Sequence, residues 1–148
     1  MPHTYTKLLF HIVFSTKERA PFIADNERDR IYGYIGGTIR GLGGICIEIG
    51  GVEDHVHILL ALKPTMSVAK FVQDLKPAVT KWAREQVHPK FEWQNGYGAF
   101  TVGESQAETV RKYIRGQKEH HRKAAYDEEF MELLARANID FEARFLWK

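Results

Sequence analysis

The sequence predicts an α+β fold in which strands and helices follow one another as β-α-β-β-α-β, with further helices at the C-terminal end. Three observations predict it. Lys7–Thr16 and His55–Leu62 are long apolar runs with the two-residue alternation of sheet strands. Apolar residues recur at helical spacing in two places: Ile31, Ile35, Ile39 and Leu42, then Val68, Phe71, Val72, Leu75, Val79 and Trp82. A glycine- and acid-rich turn, Gly50-Gly51 with Glu53-Asp54, joins the second strand to the third as a hairpin. This order is the split-βαβ, ferredoxin-like or RRM-like arrangement. It predicts an antiparallel sheet with the two early helices on one face and a site on the other.

The first strand splits its side chains between two faces, Leu8, Phe10, Ile12 and Phe14 on one and Leu9, His11 and Val13 on the other. His11 is assigned a structural or DNA-facing role rather than a catalytic one. Asp25 is a suitable N-cap for the first helix, and Gly43-Gly44 its stop. Ile45, Ile47 and Ile49 alternate with Cys46 and Glu48 in the second strand. Glu48 and Asp54 are possible extra acids beside a metal site, but Glu48 reads first as a solvent-facing strand residue and Asp54 as part of the turn. Thr65 or Ser67 caps the second helix, and Pro77 is expected to kink or split it. The fourth strand is expected over Trp93–Val102. Ser105 and Glu108 form a capping-box pattern at the start of a third helix, which carries Tyr113. Tyr126-Asp127 reads as a break before a helix from about Glu128 to Ala137. The aromatic tail Phe141–Trp147 could add a strand or pack on a partner subunit.

Length and composition fit one domain spanning 1–148: 148 residues, 44% hydrophobic and 27% charged. No apolar run reaches the ~18 residues of a membrane helix, and the N-terminus lacks a signal-peptide layout. The lone Cys46 fits a small buried thiol in a reducing, cytoplasmic setting. Net charge is only +2, but Arg111, Lys112, Arg115, Lys118, Arg122 and Lys123 lie close together against the single acid Glu119. Such a helix is either a solvated face or a phosphate-binding surface. Lys7, Lys17 and Arg19 are further candidates for DNA contact, as are His120 and His121.

His55 and His57 are two apart on a strand and so share one face, half of a metal site. Tyr113 and Gln117 are one helical turn apart. Each pair alone is weak evidence, because helical tyrosines usually pack and His-x-His also occurs in (β/α)8 hydrolases of ~200 residues or more. Together they offer two imidazoles and an amide oxygen with open positions. That set suits a divalent ion, Mg²⁺ or Mn²⁺, that also grips phosphate oxygens. A tyrosine with a pKa near ~10 needs a metal, a base or local positive charge to act as a nucleophile.

Asp54-His55-Val56-His57, followed by Ile58-Leu59-Leu60, resembles the His-hydrophobic-His (HUH) motif of the single-tyrosine transposases of small bacterial and archaeal insertion sequences. Tyr113-Ile114-Arg115-Gly116-Gln117-Lys118-Glu119-His120-His121 resembles that family's Tyr-x-x-x-Gln helix. Phe10–Lys17 and Gly96–Phe100 are similar to the family's first strand and to the segment before its catalytic helix. The resemblance implies that Tyr113 attacks single-stranded DNA to form a 5′-phosphotyrosine, while His55, His57 and Gln117 hold the metal. It also implies recognition of subterminal DNA hairpins and a homodimer with active sites shared between subunits. Gly116 would loosen the helix that bears Tyr113. Two other readings stay open: a domesticated, repeat-associated HUH nuclease, and a non-catalytic ferredoxin-like nucleic-acid-binding module.

Overall fold

β1 (Leu8–Ser15) is the hub of the sheet, because it is flanked on both sides by antiparallel strands. In the computed structural model, which describes residues 4–121 and 125–142, the sheet runs β2-β3-β1-β4. β2 is Ile45–Val52, β3 is His55–Leu62 and β4 is Gly98–Val102. The register sets Leu8 opposite Leu62 and Ser15 opposite His55. β-Branched and aromatic residues suit the pleated surface, and the two-residue turn Glu53-Asp54 fixes the β2–β3 hairpin.

Strict alternation divides the sheet into two chemically different faces. Ile12, Phe14, Val56, Ile58 and Leu60 pack under α1 (Arg28–Gly41) and α2 (Val68–Gln86), against Ile31, Ile35, Ile39, Phe71 and Leu75. Each fully buried Ile or Leu contributes roughly 1.5–3 kcal/mol. Tyr34 stacks on Trp82 with centroids 4.6 Å apart and ties the two helices together. The opposite face carries Leu9, His11, Val13, His55, His57 and Leu59. It is covered by α3 (Ala107–Arg115), the single turn α4 (Gln117–His120) and α5 (Tyr126–Arg136). This is the arrangement the β-α-β-β-α-β order predicts.

Several local expectations differ. Asp25 does not cap α1; Glu27 holds that position without a side-chain bond, and Asp25 pairs with Arg28 instead. Of the two candidate caps for α2, Ser67 is the one, accepting from the Lys70 N–H. Pro77 lies inside an unbroken 19-residue helix, because Val72, Leu75 and Val79 bury the same stripe on both sides of it. β2 has a bulge between Cys46 and Glu48, so Ile47 faces the α3 side while Ile49 faces the α1–α2 side. A bulge residue resets the two-residue period, which sequence alternation alone does not reveal. Only Gly98–Val102 joins the sheet as β4; Trp93 makes an isolated bridge to Thr16 and buries its ring against Phe14 and Phe91. Ser105 sits in a short 3₁₀ turn and caps nothing. Tyr126 opens α5 rather than marking a break. Cys46 is half-buried against the α1–α2 core. Arg122 and Lys123 lie outside the described residues, as does all of the tail beyond residue 142.

Candidate metal and nucleophile site

The site is built on one row of residues across the sheet. Gly50, His57, Val13 and Gly98 are cross-strand partners in sequence across β2, β3, β1 and β4. The glycines at its ends leave room for helices. A Cβ on Gly50 would lie 2.8 Å from Ile114 Cγ2 and 3.0 Å from the Ile114 carbonyl carbon. One on Gly98 would lie 2.8 Å from Phe130 Cε1. α3 therefore rests directly on β2, α5 on β4, and His57 lies between them.

His55 and His57 are both fully buried. Each has a fixed partner at Nδ1: Asp54 Oδ1 at 2.8 Å from His55, and His11 Nε2 at 2.8 Å from His57. In the tautomer a metal ligand needs, with Nδ1–H donating to those partners, each Nε2 would turn a lone pair into the site; without an ion the two Nε2 atoms face the Glu129 carboxylate. Gln117 is buried as well, with its Oε1 3.2 Å from His55 Nε2, so the structure brings the three implied ligands together. Tyr113 is half-buried beside them, its ring 5.5 Å from that of His57. Tyr113 and Gln117 are not on one continuous helix, since α3 ends at Arg115 and Gly116 separates it from α4. Their spacing survives through a 3.4 Å bond from the Gln117 amide to the Tyr113 carbonyl.

Glu129, which the sequence reading omits, lies at the centre of this arrangement. Its Oε1 is 3.3 Å from His55 Nε2, 3.0 Å from His57 Nε2 and 3.1 Å from His121 Nε2. Its Oε2 accepts the Tyr113 hydroxyl and lies 3.3 Å from His120 Nε2. A signal for it exists: Tyr126, Glu129, Phe130, Leu133 and Leu134 form one helical stripe, and Glu129 is the single acid in it. A carboxylate on an otherwise apolar stripe must meet a partner when the stripe is buried.

The electrostatics follow from that contact. Burial works against a charged Glu129, but hydrogen bonds from His121, His55 and His57 outweigh it and hold the carboxyl far below its usual range. Burial also opposes charge on His55, yet Asp54 and Glu129 raise it to about 9. Burial dominates at His57, lowered to about 4 despite Glu129, and at His11, lowered to about 3 by burial and by His57. Burial, then the bond to Glu129, raises the Tyr113 hydroxyl above its ordinary value. Three imidazole nitrogens, a carboxylate oxygen and an amide oxygen form a donor set that fits a divalent ion.

His11, Glu48 and Asp54 all turn out to face this side of the molecule. Glu48 is not a solvent-facing residue: it pairs with Arg111 at 3.3 Å and Arg115 at 3.0 Å. Asp54 belongs to the turn and also holds His55. Most of the other candidate DNA-contact residues are ion-paired at the surface. Lys7 pairs with Glu104, Lys17 with Glu92, Arg19 with Asp127 and Lys118 with Asp25, while Lys112 is exposed on α3. His121 turns inward to Glu129, and His120, a third exposed, has its Nε2 3.3 Å from the same carboxylate.

Comparison with known proteins gives the family and the fold. The family model for IS200-like transposases matches residues 4–117. The transposase of insertion sequence element IS200 from Salmonella typhimurium is 29% identical over 126 residues, covering 80% of this chain and 82% of that protein. The ISDra2 transposase TnpA of Deinococcus radiodurans is 26% identical over 120 residues, covering 75% and 84%. A crystallised candidate transposase from Deinococcus radiodurans shares the fold with a TM-score of 0.65 at 23% identity, covering 79% of this chain and 95% of that one. A REP-associated tyrosine transposase bound to a REP hairpin superposes with a TM-score of 0.61 at 12% identity, covering 82% and 73%. Among the described residues, no helix is long and apolar enough to cross a membrane.

Proposed function

Because the chain belongs to the IS200-like transposase family, we propose that it cleaves and rejoins single-stranded DNA at the ends of an insertion sequence, with Tyr113 as the nucleophile. The observation that carries this reading is the convergence of Tyr113 with His55, His57 and Gln117 on one buried face. Tyr113 Oη attacks the scissile phosphorus, the P–O3′ bond breaks, and a 5′-phosphotyrosine and a free 3′-hydroxyl result. The Tyr113 hydroxyl donates to Glu129 Oε2; its proton is lost as the P–O bond forms, and the departing 3′-oxygen is protonated. Attack of a 3′-hydroxyl on the phosphotyrosine reverses the chemistry and rejoins the strand. One phosphoester replaces another, so no nucleotide cofactor is required.

His55, His57 and Gln117 would hold a divalent ion, Mg²⁺ or Mn²⁺ in the simplest reading. When bound, that ion supplies Lewis-acid stabilisation of the phosphate oxygens. The residues themselves do the remaining work. Asp54 and His11 aim the two imidazoles, and the α3–β2 contact at Gly50 positions Tyr113. The surface cations Lys7, Lys17, Arg19, Arg111, Arg115 and Lys118 would meet DNA phosphates by exchanging acidic partners for them, and the exposed Lys112 would join them. The REP hairpin on the structurally similar transposase supports a hairpin DNA partner. A homodimer with shared active sites and a cytoplasmic location complete the proposal.

The test is incubation with labelled single-stranded DNA from the flanks of the gene, with Mg²⁺ or Mn²⁺. A denaturation-resistant protein–DNA adduct is expected for wild type and none for Tyr113→Phe or in EDTA. Tight hairpin binding with no adduct on either flank would instead mark a DNA-binding module.

A further inference from the structure

His121 and Glu129 are two donors more than the three-ligand reading uses. The ligand atoms of His55, His57, His121 and Glu129 all lie within 4.8 Å of one another. Glu129 Oε1 is 3.0–3.3 Å from each of the three imidazole Nε2 atoms. Donors about 2.1 Å from a shared ion are separated by roughly 3.0–3.4 Å along the edges of an octahedron or tetrahedron. The Glu129 separations, which without an ion are hydrogen-bond lengths, equal such ligand–ligand edges, and a small inward closing of donors that span up to 4.8 Å would complete the shell. Glu129 is only 2% exposed, so its carboxylate has no solvent to fall back on.

We propose that the metal site of this chain is completed by His121 and Glu129, forming with Gln117 a centre of three imidazole nitrogens, one carboxylate oxygen and one amide oxygen that takes a first-row transition ion in preference to Mg²⁺. The inference rests on the reading of His55 and His57 as metal ligands. Imidazole nitrogen suits Mn²⁺, Fe²⁺, Co²⁺ and Zn²⁺, whereas Mg²⁺ keeps oxygen ligands and several waters. Each added nitrogen therefore widens the gap between the two classes of ion. The same centre ties α5 to β3, since Glu129 is on α5 and both motif histidines are on β3. It also links the ion to the nucleophile, because the second Glu129 oxygen accepts the Tyr113 hydroxyl.

The experiment is calorimetric titration of the full chain with MgCl2, MnCl2 and CoCl2, with the Co²⁺ absorption spectrum as a second readout. Wild type is expected to bind Co²⁺ at least 100-fold more tightly than Mg²⁺. His121→Asn and Glu129→Gln should each weaken Co²⁺ binding at least tenfold and alter the spectrum, while His57→Ala should abolish it. Circular dichroism melts confirm folding, and Glu129→Asp, which keeps the carboxylate, should retain more affinity than Glu129→Gln. If His121→Asn and Glu129→Gln both bind Co²⁺ as wild type does while His57→Ala does not, the completed centre is wrong and the three-ligand site stands. If His57→Ala also binds normally, the underlying reading of the motif fails.

Discussion

Replacing Gly50 with alanine tests whether the α3–β2 contact positions the nucleophile. The added Cβ would lie 2.8 Å from Ile114 Cγ2 and 3.0 Å from the Ile114 carbonyl carbon, and closer still to its oxygen. Carbon atoms settle at about 3.5–4.0 Å, so the deficit is on the order of 0.5–1 Å. Two of these atoms are backbone and cannot rotate away, and Ile114 is fully buried. The strain is relieved only if α3 lifts, at a cost of about 1–3 kcal/mol for an overpacked site. Tyr113 precedes Ile114, and Gly50 is the cross-strand partner of His57, so the lift lengthens the distance that matters. A shift of about 1 Å in a reacting group can cost on the order of 10²-fold in rate. Urea denaturation in EDTA and single-turnover adduct formation measure the two effects. Gly33→Ala is the control: nothing lies within 4 Å of its Cβ, and in mid-helix it should stabilise by about 0.5–1 kcal/mol. A Gly50→Ala protein with wild-type midpoint and wild-type adduct rate would refute the positioning argument.

Two further outcomes follow from the same face. Glu48→Gln removes the acid shared by Arg111 and Arg115, so affinity for single-stranded DNA should rise and its salt dependence steepen. With a slope of about 0.7 per phosphate on single strands, two released arginines add up to about 1.4 to the log–log slope, and an unchanged slope would show that they do not meet phosphate. His11 titrates at about 3 in the fold against 6.5 for an ordinary histidine. Between those values the unfolded chain binds more protons, so this residue's contribution is complete above 6.5 and is lost as pH falls toward 3. In EDTA, His11→Gln should accordingly flatten the rise in stability between pH 4 and 6.5, as read from denaturation midpoints across that range.

The two faces of the sheet were legible because β1 and β3 keep a period of two without interruption over eight residues each. His55, His57, Tyr113 and Gln117 were legible for a related reason, since the spacing within each pair is local. What stayed hidden depends on which distant elements meet. The β2 bulge moves Glu48 to the α3 side, and a strand pattern of Ile45, Ile47 and Ile49 gives no sign of it. Asp25 and Ser105 have the right chemistry for caps, but Arg28 captures the first and a 3₁₀ turn displaces the second. Glu129 was written in the α5 stripe as an acid among apolar residues, yet nothing local says that α5 lies against β4 rather than against the other helices.

The glycines answer that question, and they define the site more fully than the motif does. The row Gly50–His57–Val13–Gly98 crosses all four strands, with a glycine at each end. Side chains at those ends would hold both helices off the sheet, since Ile114 and Phe130 already fill the space. With α3 lifted, Tyr113 and Gln117 move away from the histidines; with α5 lifted, Glu129 does. The motif histidines would remain intact on their strand and have nothing opposite them. The chemistry of the site therefore depends on two residues that have no side chain, because their bareness lets three separate segments reach one buried point.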